Sequence, residues 1–207
     1  VGSEMCIRDR NKPLPRLCVV APGREFVLPY IKRELNDYEI VTDGDADFVV
    51  HITEPGDATP KDGAAVLACA NIVGTGMTGF PMEVARRIAA GSYYHIAGNE
   101  ARLSTLHAVD LARAVALVIG KPGVYFVNDG CNPTYAEFAE ALAWRIKQKR
   151  ILTLKPSWAR WLMNGRLRRA ITDDTTFDGS AFASDFNFKP NSVTEYLRTH
   201  VYDDESL

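Results

Sequence analysis

Short apolar runs alternate with helix-spaced segments through the first third of the chain. Residues 16–21 (RLCVVA) lie between Pro15 and Pro22 and read as a buried strand. In residues 26–35, Phe26, Val27, Tyr30, Ile31 and Leu35 recur at the spacing of one helix face. Pro29 falls early enough to sit in a first turn. Residues 38–41 predict a second strand, Asp43-Gly44-Asp45 a turn, and residues 46–53 (ADFVVHIT) a third strand. Residues 54–63 are polar and rich in Pro and Gly, hence a loop, and residues 64–73 (AAVLACANIV) predict one long fourth strand. Strands that are apolar throughout, separated by helices, point to a parallel sheet covered on both faces.

Beyond residue 73 the signals shorten. Residues 74–79 (GTGMTG) form a flexible loop, and a helix over 80–90 stops at Gly91. Short strands are predicted at 93–96 and 103–106. The next helix, 109–119, opens with the carboxylate of Asp110, which suits the positive end of a helix, and His107 is placed to cap it. A strand at 123–127 follows. Thr134 with Glu137 three residues on is a capping box for a helix reaching about residue 147. A strand at 151–154 and helices at 158–163, 180–186 and 193–200 complete the reading. The organisation expected is a reduced α/β half over 11–79 and a smaller mixed lobe over 80–207, sharing one core.

Composition narrows the function classes. Of 207 residues, 46% are hydrophobic and 24% charged, as in ordinary globular chains. A net charge of −2 argues against a general nucleic-acid binder. No apolar run is long enough to cross a bilayer. Cys6, Cys18, Cys69 and Cys131 form no C-x-x-C pair, so no metal site is expected, and they read as reduced thiols in a cytoplasmic protein. Residues 1–10 (VGSEMCIRDR) lack periodicity and an apolar h-region; they resemble translated adaptor sequence and are expected to be a non-native head. Residues 145–169 hold nine Lys or Arg, no Asp or Glu, and Trp144 just before them with Trp158 and Trp161 within. Such a stretch suits an anionic surface or a partner, or else a solvated helix face with aromatic anchors.

Several segments, in order, resemble one family. They are Asp47-Phe48-Val49-Val50-His51; Asn71-Ile72-Val73-Gly74-Thr75-Gly76; and Gly91, Gly98 and Arg102 leading to His107-Ala108-Val109-Asp110. Residues 124–130 with Tyr135-Ala136-Glu137-Phe138, and residues 180–197 with Phe188-Lys189-Pro190, continue the series. Together they resemble the extended short-chain dehydrogenase/reductase, or NAD-dependent epimerase/dehydratase, family over most of residues 16–200. The resemblance implies an α/β fold: a Rossmann-like parallel sheet with helices on both faces, reduced in size, plus a small mixed α/β C-terminal substrate lobe. It implies NAD or NADP as cofactor and a nucleotide sugar or similar anion as ligand. It also implies a homodimer, or a heterodimer with a relative. Pro22, Gly23, Arg24, Phe26, Val27 and His51 fall on the cofactor side. Asn71 and Arg102 match residues lining the nucleotide-sugar pocket; Tyr93, read from its own chemistry, suits core packing first and stacking on a base second.

The departures concern chemistry. A dinucleotide's pyrophosphate must approach a glycine-rich backbone at a helix N-terminus. Aligned on Phe26-Val27, the family's three glycines fall on Pro22, Glu25 and Leu28. Proline removes a donor amide, glutamate adds a negative charge, and leucine adds bulk. The family's acid–base pair is a Tyr with a Lys four residues later, and no Tyr here has one. The segment that should carry the pair is reduced to the loop 54–63. No catalytic residue is therefore assigned. The expected function is an epimerase/dehydratase-like protein without hydride transfer and with impaired cofactor binding. The alternatives are a non-catalytic partner of a full-length relative and a truncated gene product.

Overall fold

A computed structural model describes residues 13–147 and 150–199; the predicted head, residues 1–10, lies outside them. In chain order the strands are β1 (Arg16–Val20), β2 (Glu39–Val41), β3 (Phe48–Thr53), β4 (Ala65–Ala68), β5 (Ile72–Val73), β6 (Tyr94–Ile96), β7 (Leu106–His107), β8 (Gly123–Phe126) and β9 (Leu152–Leu154). The helices are α1 (Leu28–Glu34), α2 (Gly79–Ala89), α3 (Ala108–Val118), α4 (Tyr135–Arg145), α5 (Pro156–Leu162), α6 (Gly165–Ala170), α7 (Ser180–Asp185) and α8 (Val193–Thr199).

Five strands form the main sheet in the order β2-β1-β3-β4-β8, every pair parallel. Alternate residues divide its faces, because strand side chains alternate with period two. Leu17, Val19, Val50, Ile52, Ala65 and Leu67 point to one face, where Val27 and Ile31 of the first helical segment and Leu111, Val115 and Val118 of α3 close the core. Each such aliphatic side chain contributes about 1.5–3 kcal/mol by leaving water. The helical cover is uneven. On the opposite face Val20, Val49, His51, Thr53 and Val124 stay partly exposed, and Phe126 at the strand end is exposed.

The long strand predicted over 64–73 is two strands. Asn71 takes φ 47°, a left-handed conformation that Asn tolerates better than most residues. The chain turns there, leaves the main sheet after β4, and pairs β5 with β7 instead. The strand predicted at 103–106 shrinks likewise. Arg102 and Leu103 make isolated bridges to Thr134 and Thr175, and β7 begins at Leu106. Helix α6 was not foreseen; Asn164 caps it, its Oδ1 accepting from the N–H of Arg166 at 2.9 Å.

A second core gathers α2, α4 and α8 through Val84, Ile88, Phe138, Leu142, Val193 and Leu197. The capping box is present: Glu137 N–H donates to Thr134 Oγ1 at 3.2 Å, and Thr134 N–H donates to Glu137 Oε2 at 2.8 Å. His107 caps α3, its Nδ1 accepting from Val109 N–H at 3.2 Å. Asp110 lies in the first turn of α3, as expected of a helix-opening charge, and has further partners. Fully buried, it accepts from Asn191 N–H at 2.9 Å and from Arg113 at 2.6 Å. The two lobes interleave: α3, Val127 and the Phe182 and Phe188 side chains return from beyond residue 79 to finish the first core.

Candidate functional site

Strand β2 lies on one side of β1 and β3 on the other, so strand order reverses between β1 and β3. Ligands of open α/β sheets bind in the crevice that this reversal opens at the carboxyl ends of the strands. A cleft of about 380 Å3 lies there. Its walls are Pro22, Gly23, Arg24 and Phe26 after β1, residues 52–54 and Asp57 at the end of β3, Asn71 and Ile72, and residues 78–81 at the start of α2.

The cleft holds its own ions. Arg24 N–H closes a turn onto the carbonyl of Ala21 at 3.0 Å, with Gly23 at φ 72°. Gly23 N–H, the amide best placed to meet an anion, donates to the Glu25 carboxylate at 3.0 Å. The Arg24 side chain, only 12% exposed, reaches from the β1 loop to the far wall. There it forms an ion pair with Glu54 and donates through Nη1 to the carbonyl of Cys69 at 3.1 Å. The glycine-rich segment after β5 is pinned over this loop. Thr78 Oγ1 donates to the carbonyl of Gly23 at 2.7 Å, and Thr75 N–H donates to the Tyr30 hydroxyl at 2.6 Å.

Solved structures with this architecture are numerous. The UDP-N-acetylglucosamine 4-epimerase of Bacillus cereus superposes with a TM-score of 0.60 at 13% identity, over 91% of this chain and 99% of that one. The UDP-glucose 4-epimerase of Thermus thermophilus, in complex with NAD, gives 0.62 at 13% identity, over 90% and 97%. This chain shares their α/β fold, a parallel sheet with helices. A functionally unknown conserved protein from Silicibacter pomeroyi also shares it, with a TM-score of 0.66 at 10% identity over 93% of this chain and 100% of that one. No family model and no curated protein sequence matches the chain.

Within this fold, five of the residues singled out from sequence meet at the cleft: Pro22, Gly23, Arg24, Phe26 and Asn71. Asn71 also works structurally, donating through Nδ2 to the carbonyl of Ser104 at 2.9 Å. The others lie elsewhere. Val27 is fully buried in the first core. His51 projects from β3 onto the open face, where burial and then the charge of Lys61 push its pKa down. Tyr93 is packed in the second core, and burial, then Tyr135, push its phenol up. Arg102 is exposed and donates to the carbonyl of Asn132 at 3.0 Å, while its own N–H donates to Asp174 at 2.6 Å. Sequence reasoning passed over Glu54, Thr53, Thr78 and Phe80. Glu54 had a usable signal, since it is the first charged residue after an apolar strand at the switch point.

A dinucleotide held in the glycine-loop manner does not fit these residues. Pro22 offers no N–H, the N–H of Gly23 is committed to Glu25, and the Arg24–Glu54 pair spans the crevice. Among the described residues, the titratable side chains lining the cleft are Arg24, Glu54 and Asp57, none of them a phenol, an ammonium or an imidazole.

Proposed function

We propose that this chain is an epimerase-fold binding protein without hydride transfer, taking a nucleotide sugar or a similar anion at the switch-point cleft. The observation that carries this reading is the internal ion set. Glu25 stands where a phosphate oxygen would meet Gly23, and Glu54 stands where one would meet Arg24. A guanidinium already aimed into a cleft can exchange one carboxylate for a diphosphate, which it holds through the same forked geometry. Phe26 and Phe80 supply apolar walls beside it. Hydride transfer in the family the chain resembles relies on a phenol and an ammonium, and among the described residues the cleft wall carries neither.

Thermal unfolding of the protein with NAD, NADP and a panel of uridine and thymidine diphosphate sugars tests the reading. A rise with a nucleotide sugar, absent in Arg24→Ala, together with no rise from NAD or NADP, supports it. Turnover of any of these sugars with added NAD, or a cofactor shift, overturns it.

A second reading, a non-catalytic partner of a full-length relative, draws on the partly exposed Val49, His51 and Val124 and the exposed Phe126 at the margins of the second sheet face, where Cys18, Val66 and Ala68 stay buried. Light scattering of the protein mixed with such a relative decides it, because this reading requires a mixed species.

A further inference from the structure

Helix α5 presents an unusual surface. Trp158, Trp161 and Leu162 stand at i, i+3 and i+4, so they share one face. That face points to solvent: Trp158 is 62% exposed and Trp161 91%. Ala159 is fully buried, and it joins Met163 just beyond the helix in anchoring α5 to the second core. Ser157, the two indoles and Leu162 line a concavity of about 440 Å3. Strand β9 packs beside α5 and adds the exposed Leu152. Large aromatic side chains are rarely left this open without a use.

Charge decides what fits. Nine of the chain's 24 basic residues, and none of its 26 acidic ones, lie in residues 145–169. Lys155 immediately precedes α5, Arg160 lies on it, and α6, packed against it, brings Arg166, Arg168 and Arg169. A second copy presenting the same face would set these cations against each other, which disfavours a symmetric dimer here. The complement is a surface that is apolar within and anionic at its rim. An indole, with an apolar body and one N–H donor, is the side chain that settles at such a boundary.

We propose that the Trp158–Trp161–Leu162 face docks this protein onto a bilayer containing anionic phospholipid. The indoles and Leu162 enter the headgroup–acyl boundary, and the surrounding Lys and Arg meet the phosphates. No helix among the described residues is long and apolar enough to cross a membrane, so α5 lies on the surface.

All three tryptophans of the chain, Trp144, Trp158 and Trp161, are exposed, and two of them are on this face. Intrinsic fluorescence therefore reads the docking event directly. The full chain is mixed with phosphatidylcholine vesicles, with or without phosphatidylglycerol, at low and high salt. The expected result is co-sedimentation with the anionic vesicles at low salt, release at high salt, and emission moving to shorter wavelength on binding. Trp158→Ala with Trp161→Ala weakens binding by roughly tenfold or more. Lys155→Gln and Arg160→Gln weaken it by about fivefold each. Circular dichroism confirms that the variants fold, and Trp161→Ser alone keeps the test usable if the double variant does not. Four results would overturn the proposal: no fluorescence change with anionic vesicles, equal binding to pure phosphatidylcholine, unaltered binding by the tryptophan variants, or glycerol phosphate competing as well as vesicles do. A free protein that is already dimeric with short-wavelength emission would assign the face to a second copy instead.

Discussion

Arg24 and Glu54 form an ion pair across the crevice between β1 and β3, joining two loops that are thirty residues apart in sequence. The pair costs the site its openness. Arg24 is mostly buried while Glu54 is 55% exposed, so the carboxylate is the partner free to leave. On the proposed function, an incoming anion competes with Glu54 for the guanidinium, and that competition sets the affinity of the cleft.

Glu54→Gln should therefore tighten binding of uridine diphosphate by about tenfold, roughly one charge-assisted hydrogen bond recovered. Arg24→Ala should abolish it. The stability cost of Glu54→Gln should be small, about 0–1 kcal/mol, because its carboxylate is solvent-screened. Titration calorimetry on the three proteins checks the binding statements, and urea unfolding of Glu54→Gln checks the last.

The pinned segment over the cleft makes a separate prediction. A Cβ added at Gly74 would lie 2.9 Å from the Cβ of Ala108 and 3.0 Å from the Tyr30 hydroxyl. The same hydroxyl accepts from Thr75, so it cannot retreat without losing that bond. Gly74→Ala should destabilise the protein by about 1–3 kcal/mol. Gly56→Ala, where nothing lies within 4 Å, should be neutral or slightly stabilising. Urea midpoints of the two variants measure the contrast.

The fold was largely legible because its signals are local. The apolar runs gave β1, β2 and β3, and Thr134 with Glu137 placed α4 through a capping box that the structure contains. The break at Asn71 was hidden because a buried β4 and the short β5 are equally apolar, and only one backbone angle separates them. Helix α6 was missed because it opens on Asn164-Gly165, a pair that reads as a turn. The site was half legible for a different reason. Residues after one strand, Pro22 to Phe26, follow from the β1 loop alone. Glu54 and Thr78 reach the same cleft only through sheet order, which local pattern does not encode. Arg102 was assigned by resemblance, and the structure holds it on a bridge to Thr134, whereas Tyr93 packs in a core, the use its sequence context favoured.

Asp129 ties three segments of the second lobe together. Its carboxylate accepts from Thr105 Oγ1 at 2.8 Å, from Cys131 N–H at 3.0 Å and from Val193 N–H at 3.0 Å. Those donors belong to the run before β7, the turn after β8 and the start of α8. Asp129→Ala leaves them without this acceptor in a nearly closed site, at a cost of about 3 kcal/mol. Chemical denaturation gives that number, and hydrogen exchange at Val193 should show α8 loosening first.

Acid should unfold the protein in two stages. His51 and His95 both have pKa values pushed below the ordinary 6.5, chiefly by burial. For His51 the charge of Lys61 adds to the effect, whereas for His95 Glu140 opposes it at 3.7 Å. A base whose folded pKa is depressed binds protons more readily when unfolded. Its contribution to stability is complete above 6.5 and is lost as pH falls through the folded pKa. Glu137 shifts for another reason: the Thr134 N–H and hydroxyl hold its carboxylate below the ordinary 4.5. Its contribution is present above 4.5 and fades as pH falls further. Stability measured from above pH 6.5 downward should thus decline first through the histidines and again below 4.5. His51→Gln should flatten the first decline and leave the second. Thr134→Ala should cost about 1 kcal/mol at neutral pH and reduce only the second decline, in part, because its backbone N–H still holds the Glu137 carboxylate. A single decline, or one that both variants alter alike, would show that neither the buried imidazoles nor the capping box governs the acid response.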